Sequence, residues 1–330
     1  ANFTAQIFDE DRNGAAQKGL LDPTPNAREL RQDSRADYEL TSELYSMVLE
    51  WDLEAFSIKS LTSYQNDDVL INRDNDRNDL AVLAPFAQLP SVYVPETNKQ
   101  KTITQEINLI SGAPLFGKMD WVAGVFYLDT EVEISIRELL DFNFNGTFDP
   151  FTRAQVFAFD PTAEIGFISD SKPERDSTSI YGQGTWNFND EWRAVFGLRY
   201  TEDEVYSAVT NFFGRTGTDI IEMDSEKVTG RLVLEHDFSE STMGFASYTR
   251  GFKPGGSNLT YGLESVVAPV VVLPTFDEEI VDAFEVGLKT DLADGRVRLN
   301  AAAFFYNYEG LQYQATDPEV FQGGVGNIPE

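Results

Sequence analysis

The sequence predicts an all-β protein made of antiparallel hairpins laid down one after another, an up-and-down transmembrane β-barrel pattern. Three observations carry this. Apolar and polar residues alternate with a period of two over long stretches, which gives a strand one apolar and one polar face. Turns inside the hairpins are short and the segments between hairpins are long, as in barrels with tight turns on one side of a membrane and extended loops on the other. Aromatic residues are abundant, with 25 Phe, 13 Tyr and 4 Trp, more than a core alone needs.

The clearest element lies near the end of the chain. In Ile280 to Thr290, Phe284, Val286 and Leu288 alternate with Glu285, Gly287 and Lys289; after the turn, Val297, Leu299, Ala301, Ala303 and Phe305 alternate with Arg298, Asn300, Ala302 and Phe304. Asp294-Gly295 is a strong tight-turn pair because both residues tolerate positive φ. The apolar face of such a hairpin packs on a second layer or faces lipid.

Taken in order, the chain opens with an expected strand at Asn2 to Phe8 and a polar loop. Asp9, Asp11, Asn13 and Gly14 mimic the start of a calcium loop, but Leu20 stands where a bidentate Glu belongs, so a solvated loop is expected. A first hairpin carries Tyr45, Met47, Leu49 and Trp51 on one face and returns over residues 55–65, before a loop-like stretch at 66–100. The second hairpin has Ile103, Ile107 and Leu109 on one face, and its return strand, from Asp120, is apolar on both. A long insertion at 134–177 precedes the third hairpin, in which Ile180, Gly182, Gly184 and Trp186 turn at Asn189-Asp190 into Trp192, Ala194, Phe196, Leu198 and Tyr200. A loop at 205–223 leads to the fourth, with Val228, Gly230, Leu232 and Leu234 on one face, and a segment at 253–277 leads to the last. A β-sandwich would give connections of similar length at both ends, and a propeller would repeat an internal blade motif. Neither pattern is found, which favours the barrel.

Composition narrows the function. With 25 Lys plus Arg against 55 Asp plus Glu, the net charge is −30, which argues against a nucleic-acid partner because phosphates need cations. There is no cysteine, hence no disulfide or thiolate metal site. No apolar run reaches the about 18 residues of a membrane helix, and the opening ANFTAQIFDE has neither the basic region nor the apolar core of a signal peptide. No catalytic constellation is evident. The single histidine, His236, reads as an ordinary interfacial residue rather than a triad member, and no phosphate-cradling glycine loop leads into a helix. No cofactor is expected.

At Tyr248-Thr249-Arg250-Gly251-Phe252-Lys253-Pro254-Gly255-Gly256-Ser257-Asn258 the chain resembles the barrel of TonB-dependent outer-membrane receptors, which carry Y-x-x-G-F-K-x-G-G-x-N at the end of a strand. The family's following E-x-G-x-K is matched by Glu285, Gly287 and Lys289, and its R-x-N-x-A-x-F-x-x-x-Y by Arg298, Asn300, Ala302, Phe304 and Tyr308. Gln105-Glu106-Ile107-Asn108-Leu109, Asp120-Trp121-Val122-Ala123-Gly124 and Gly197-Leu198-Arg199-Tyr200-Thr201 are similar to upstream barrel segments, and the ordered set spans about residues 40–328. The resemblance implies a Gram-negative outer-membrane location, a surrounding lipid bilayer, and uptake of a scarce small molecule such as a ferric siderophore, driven by the TonB energy-transducing complex. It also implies a plug domain inside the barrel. No plug or TonB box is seen here, so residues 1–330 read as a partial barrel of about eleven strands, roughly half of the 22 expected.

Under that resemblance Arg193, Arg199, Arg231, Glu235, Arg296 and Arg298 are expected to face the lumen and the plug, while Tyr248, Gly251, Phe252, Lys253, Gly255, Gly256, Asn258, Glu285, Gly287 and Lys289 form the structural motif. Phe142, Phe144, Phe148 and Phe151 make the long insertion a candidate ligand loop. Asp141, Asn143, Asn145, Gly146 and Asp149 have calcium-loop spacing, but Thr152 replaces the closing Glu, so no metal site is expected. A passive porin and a soluble secreted glycan-binding β-protein remain the alternatives.

Overall fold

The computed structural model describes residues 1–14, 23–26, 29, 30, 32, 36–74, 91–141, 167–212, 218–258, 275–317 and 322–328. Eleven strands form one antiparallel sheet in which sequence neighbours are spatial neighbours. They are β1 (Asn2–Asn13), β2 (Asp37–Asp52), β3 (Phe56–Asp74), β4 (Ser91–Ser111), β5 (Met119–Asp141), β6 (Phe167–Asn187), β7 (Trp192–Phe212), β8 (Asp219–Ser239), β9 (Thr242–Lys253), β12 (Glu279–Leu292) and β13 (Val297–Glu309). Two small pairs stand apart, β10 (Gly256–Ser257) with β11 (Thr275–Phe276) and β14 (Leu311–Asp317) with β15 (Gln322–Ile328). Among the described residues no helix is long and apolar enough to cross a membrane.

Five tight connections lie at one end of the sheet, and local chemistry sets them. At β6–β7, Asn189 Oδ1 accepts the backbone N–H groups of Glu191 (3.0 Å) and Trp192 (2.8 Å), an Asx turn. At β12–β13, Ala293, Asp294 and Gly295 all have positive φ, the left-handed geometry anticipated from Asp-Gly. Adjacent turns are also tied by backbone bonds: Asp237 N–H to Glu191 O and Asp291 N–H to Ser241 O, both 2.8 Å.

Directly opposed residues share a face, so the register sorts every side chain. One face is an apolar band, interrupted on β3 and β4 by a hydrogen-bonded polar patch of Ser60, Thr62 and Gln105. It runs from Phe3 and Met47 through Ile107, Val125 and Ile180 to Leu198, Leu232, Val286 and Ala303. The large members of that set are exposed, Leu198 by 68 % and Phe3 by 69 %. Among the described residues only Val94, Val195, Val209 and Ile221 are buried apolar side chains, so this sheet keeps its hydrophobic surface outside, the inverse of a soluble core. The return strand that was apolar on both faces resolves cleanly: Trp121, Ala123, Val125 and Tyr127 lie in the band, and Phe126 opposes Ser179 on the other face.

Tyrosines cap the band at the end of the long connections. Tyr127 reaches Asp176 (3.0 Å), Tyr200 reaches Glu202 and Glu226 (both 2.9 Å), and Tyr248 reaches Asp282 (2.7 Å). Along the register Tyr200 stands one same-face pair below Tyr127, and Tyr248 two further pairs below, the stagger that tilted strands require of a level belt.

The strands are longer than periodicity indicated. β3 continues to Asp74 and β4 begins at Ser91, so much of 66–100 is strand; β5 reaches Asp141 and β6 starts at Phe167; β7 and β8 extend to Phe212 and from Asp219. Asp9, Asp11 and Asn13 likewise lie on β1, paired with β2, not in a loop. Past the tyrosines both faces are polar or mixed, so the alternation that reveals a strand fades while the backbone ladder continues. There, Arg137 forks onto Asp170 at 2.8 and 3.0 Å and Lys172 pairs with Glu133 at 2.7 Å. Burial alone would raise the Asp170 carboxyl; Arg137 and Ser135 outweigh it and hold it below the usual value.

Candidate functional site

The face opposite the band is polar, and it holds many of the residues singled out in the sequence. Arg193 opposes Glu235, Arg199 opposes Thr229 and Arg231 opposes Gly197; Glu285, Gly287 and Lys289 oppose Phe304, Ala302 and Asn300. Arg298 opposes Asp291 at the tight-turn end and forks onto it at 2.7 and 3.0 Å. Arg296 falls in the turn before β13, its N–H donating to Ala293 O at 3.2 Å, so the ladder does not fix its side chain on either face.

Three clusters build this face. In the first, the Tyr181 hydroxyl lies 2.5 Å from both Glu106 Oε1 and Asn108 Oδ1, and Asn108 donates to Glu106 at 2.9 Å. Gly124 makes room for it: a Cβ there would sit 2.6 Å from the Tyr181 ring. Arg199 donates to Ser179 at 2.8 Å and lies 5.3 Å from the centroids of both Phe126 and Tyr181, a cation held by neutral groups and ring faces. In the second, Arg193 bridges Glu235 and Asp237, the latter at 2.7 Å. In the third, the Phe245 ring lies over Gly287, where a Cβ would overlap it, and Lys289 Nζ stands 5.5 Å above that ring. Arg231 is exposed and has no ion pair among the described residues. Phe304 and Tyr306, stacked at 5.1 Å on β13, add exposed aromatic surface to the same face.

The motif Tyr248–Asn258 divides into parts with separate tasks. Tyr248 belongs to the apolar band and shares Asp282 with Arg250 (3.0 Å). Gly251, Phe252 and Lys253 end β9 opposite Val281, Ile280 and Glu279. Gly255 and Gly256 admit a close neighbour: a Cβ on the first would meet Phe276 O at 2.6 Å, and on the second the Phe276 ring at 2.6 Å. Asn258 is buried and exchanges two hydrogen bonds with Val325, Nδ2 to O at 2.9 Å and N–H to Oδ1 at 2.8 Å.

His236 stacks on Trp192 (4.1 Å) and meets Phe238 edge-on (4.5 Å), in the band; its sequence neighbour Asp237 points to the other face and binds Arg193. His236 has no carboxylate partner for proton transfer among the described residues. Among the described residues no group of three or more His, Asp or Glu is arranged to hold a metal ion. Phe142, Phe144, Phe148, Phe151 and the calcium-like spacing from Asn143 lie outside the described residues. Sequence reasoning missed the hairpin β14–β15 and its carboxamides Gln312 and Asn327; lone amides carry no periodic signal that would have found them.

Known proteins share this architecture. The family described as "TonB dependent receptor-like, beta-barrel" matches residues 2–329. The metal-pseudopaline receptor CntO of Pseudomonas aeruginosa is 26 % identical over 147 residues, covering 44 % of this chain and 19 % of the receptor. Among solved structures, the ferric yersiniabactin uptake receptor FyuA from Yersinia pestis superposes with a TM-score of 0.71 at 15 % identity, over 98 % of this chain and 43 % of its own. The siderophore receptor PiuA from Acinetobacter baumannii gives 0.64 at 15 %, over 99 % of this chain and 49 % of its own. The chain thus spans less than half the length of these relatives. It belongs to the TonB-dependent receptor-like β-barrel family.

Proposed function

We propose that residues 1–330 are part of the β-barrel of an outer-membrane receptor that takes up a scarce, chelated metal, a ferric siderophore being the leading candidate, by TonB-energised transport. The observation that supports this most is the two-faced sheet: an exposed apolar band capped by tyrosines on one side and a charged, aromatic-bearing wall on the other. A band of that kind suits lipid, with amphipathic rings at its edge, and the charged wall suits a hydrated lumen.

On this reading Arg193, Arg199, Arg231, Glu235 and Glu285 face the lumen and meet the receptor's own plug domain, while Arg298 with Asp291 guards the tight-turn, periplasmic rim. A metal or a metal chelate is the ligand named for several similar proteins, among them the metal-pseudopaline receptor and the ferric yersiniabactin uptake receptor. The insertion bearing Phe142, Phe144, Phe148 and Phe151 is assigned to ligand contact, since aromatic loops on a rigid scaffold can vary without disturbing strand pairing. The test is uptake of radiolabelled iron(III) chelates by cells carrying the full-length receptor, with and without a functional TonB. TonB-dependent accumulation supports the proposal; accumulation that ignores TonB makes the protein a passive pore.

A further inference from the structure

β9 and β8 are neighbours, yet β9 stops at Lys253 while β8 continues from Ser239 back to Asp219. The chain leaving β9 does not run on alongside β8. Gly255 lies against Met223, where a Cβ would come within 2.9 Å of the Met223 methyl. Glu278 reaches Lys227 Nζ at 2.5 Å and accepts from Ser225 Oγ at 3.1 Å. Met223, Ser225 and Lys227 all belong to the polar face of β8, opposing Val205, Asp203 and Thr201, and Asp203 and Thr201 are 2 % and 4 % exposed. The short pair β10–β11 is therefore a second layer folded over the polar face.

The hairpin β14–β15 is held to this layer by side chains, not by a shared ladder. The chain bends out of β13 at Gly310, whose φ is 64° and where a Cβ would meet Glu278 O at 2.7 Å. Asn258 pairs with Val325 in both directions. Asn327 does the same with Asp277, accepting its N–H at 2.7 Å and donating to its carbonyl at 2.9 Å, and donates to Gly310 O at 2.7 Å. Gln312 donates to the carbonyls of Pro254 and Asp277, both at 2.9 Å, and its own N–H donates to Glu279 at 2.7 Å. A carboxamide carries the same donor and acceptor as a peptide unit, so it can complete a ladder where two chain segments meet at an angle that backbone pairing cannot follow.

We infer that residues 253–258 and 275–279 form a fixed collar inside the barrel mouth, and that Asn258, Gln312 and Asn327 are positioning residues that latch the β14–β15 hairpin to it. This rests on the proposed receptor function for its meaning. The hairpin is then a permanent wall of the entrance that selects ligands by its shape, not a flap that closes on them. The two glycines of the motif exist to let Phe276 approach, and its asparagine exists to hold the hairpin.

Hydrogen exchange in the full-length receptor tests this. Asn258→Ala removes both bonds to Val325, and exchange at the Val325 amide is expected to rise about tenfold, the change one net hydrogen bond brings. β8, β9 and β12 should keep wild-type protection, and the barrel its heat-modifiable mobility. Asn258→Asp, which keeps the acceptor for the Val325 N–H and loses the donor, should rise less. Asn327→Ala should release the Asp277 amide in the same way and decides the matter if Asn258→Ala does not assemble. Unchanged protection of the hairpin in both alanine variants overturns the latch. So does loss of protection spread equally over β8, β9 and β12, or failure of both variants to assemble, because the residues would then serve folding. TonB-independent uptake with hairpin-specific exchange would overturn the receptor function and leave the latch standing.

Discussion

The strands β5–β8 and the strands β9–β13 are made on one plan and end differently. Both carry the apolar band, and both cap it with tyrosine. Above the cap, β5–β8 run on as a tall wall in which Asp129 opposes Asp176, Asp176 opposes Glu204 and Glu204 opposes Asp224. No cation stands in that row. On the other side Asp282 opposes Arg250 and pairs with it, the strands stop, and the chain folds inward to the collar. Like charges directly opposed destabilise a sheet locally, so this row of the tall wall is held by its ladder in spite of its carboxylates, with ion pairs such as Arg137–Asp170 and Lys172–Glu133 further up, whereas the short wall is closed by an ion pair at its cap.

The largest effect that would break this picture concerns the band common to both regions. Ala301→Arg, opposite Leu288 in the middle of the proposed lipid face, should cost about 2–4 kcal/mol, whereas Asn300→Arg, on the opposite face, stays hydrated. Assembly of the full-length receptor, followed by heat-modifiable mobility, should fail for the first and survive for the second. Equal tolerance would refute the assignment of faces.

Gly124→Val comes next. It drives a branched side chain into the Tyr181 ring and should cost roughly 1–3 kcal/mol through overpacking, read as a lower unfolding temperature. Tyr181→Ala in the same chain should recover most of the loss by vacating the space. No recovery would mean that Gly124 matters for its backbone alone.

The acidic row offers a change of opposite sign. Asp176→Asn with Glu204→Gln should raise the unfolding temperature by about 1–3 °C at low salt, and the gain should shrink as salt rises, because exposed charges are screened. A gain independent of salt would point away from repulsion. The matching pair Arg250→Gln with Asp282→Asn on the short wall should not stabilise at any salt.

The smallest expected effect is a titration. Asp170 is held below the ordinary carboxylate value against the pull of burial, by Arg137 and Ser135. A depressed folded-state value means the pair's contribution is present above the unfolded carboxyl value, about 3.9, and is lost as pH falls through the folded value. Arg137→Gln should shift local loss of protection in β5–β6 to higher pH; an unshifted profile would remove this fork from the stability of the wall.

Much of this was legible beforehand because a membrane-type strand is written twice, once in its period and once in its turn. The third and fifth hairpins fall where alternation placed them, and Asp294-Gly295 turns as its chemistry demands. What failed was the upper part of β3–β8. With water on one face and mixed polar contacts on the other, Asn66 to Asp74 or Glu202 to Phe212 show no period, and nothing in composition separates them from a loop. The motif around Gly255-Gly256 and Asn258 could be recognised but not explained, because its partners Phe276, Met223 and Val325 lie far away in sequence.

The sequence by itself determined the order of the main-sheet strands, the face of each side chain where alternation is clean and the end at which the tight turns lie, since all three follow from local alternation and nearest-neighbour pairing; the faces of β5, apolar on both sides, took the register to assign. Only the tertiary structure decided how far the strands climb, which charges are compensated, and that the chain after β9 turns inward. Those depend on register between whole strands and on contacts such as Glu278 with Lys227 or Asn327 with Asp277, which no local pattern encodes.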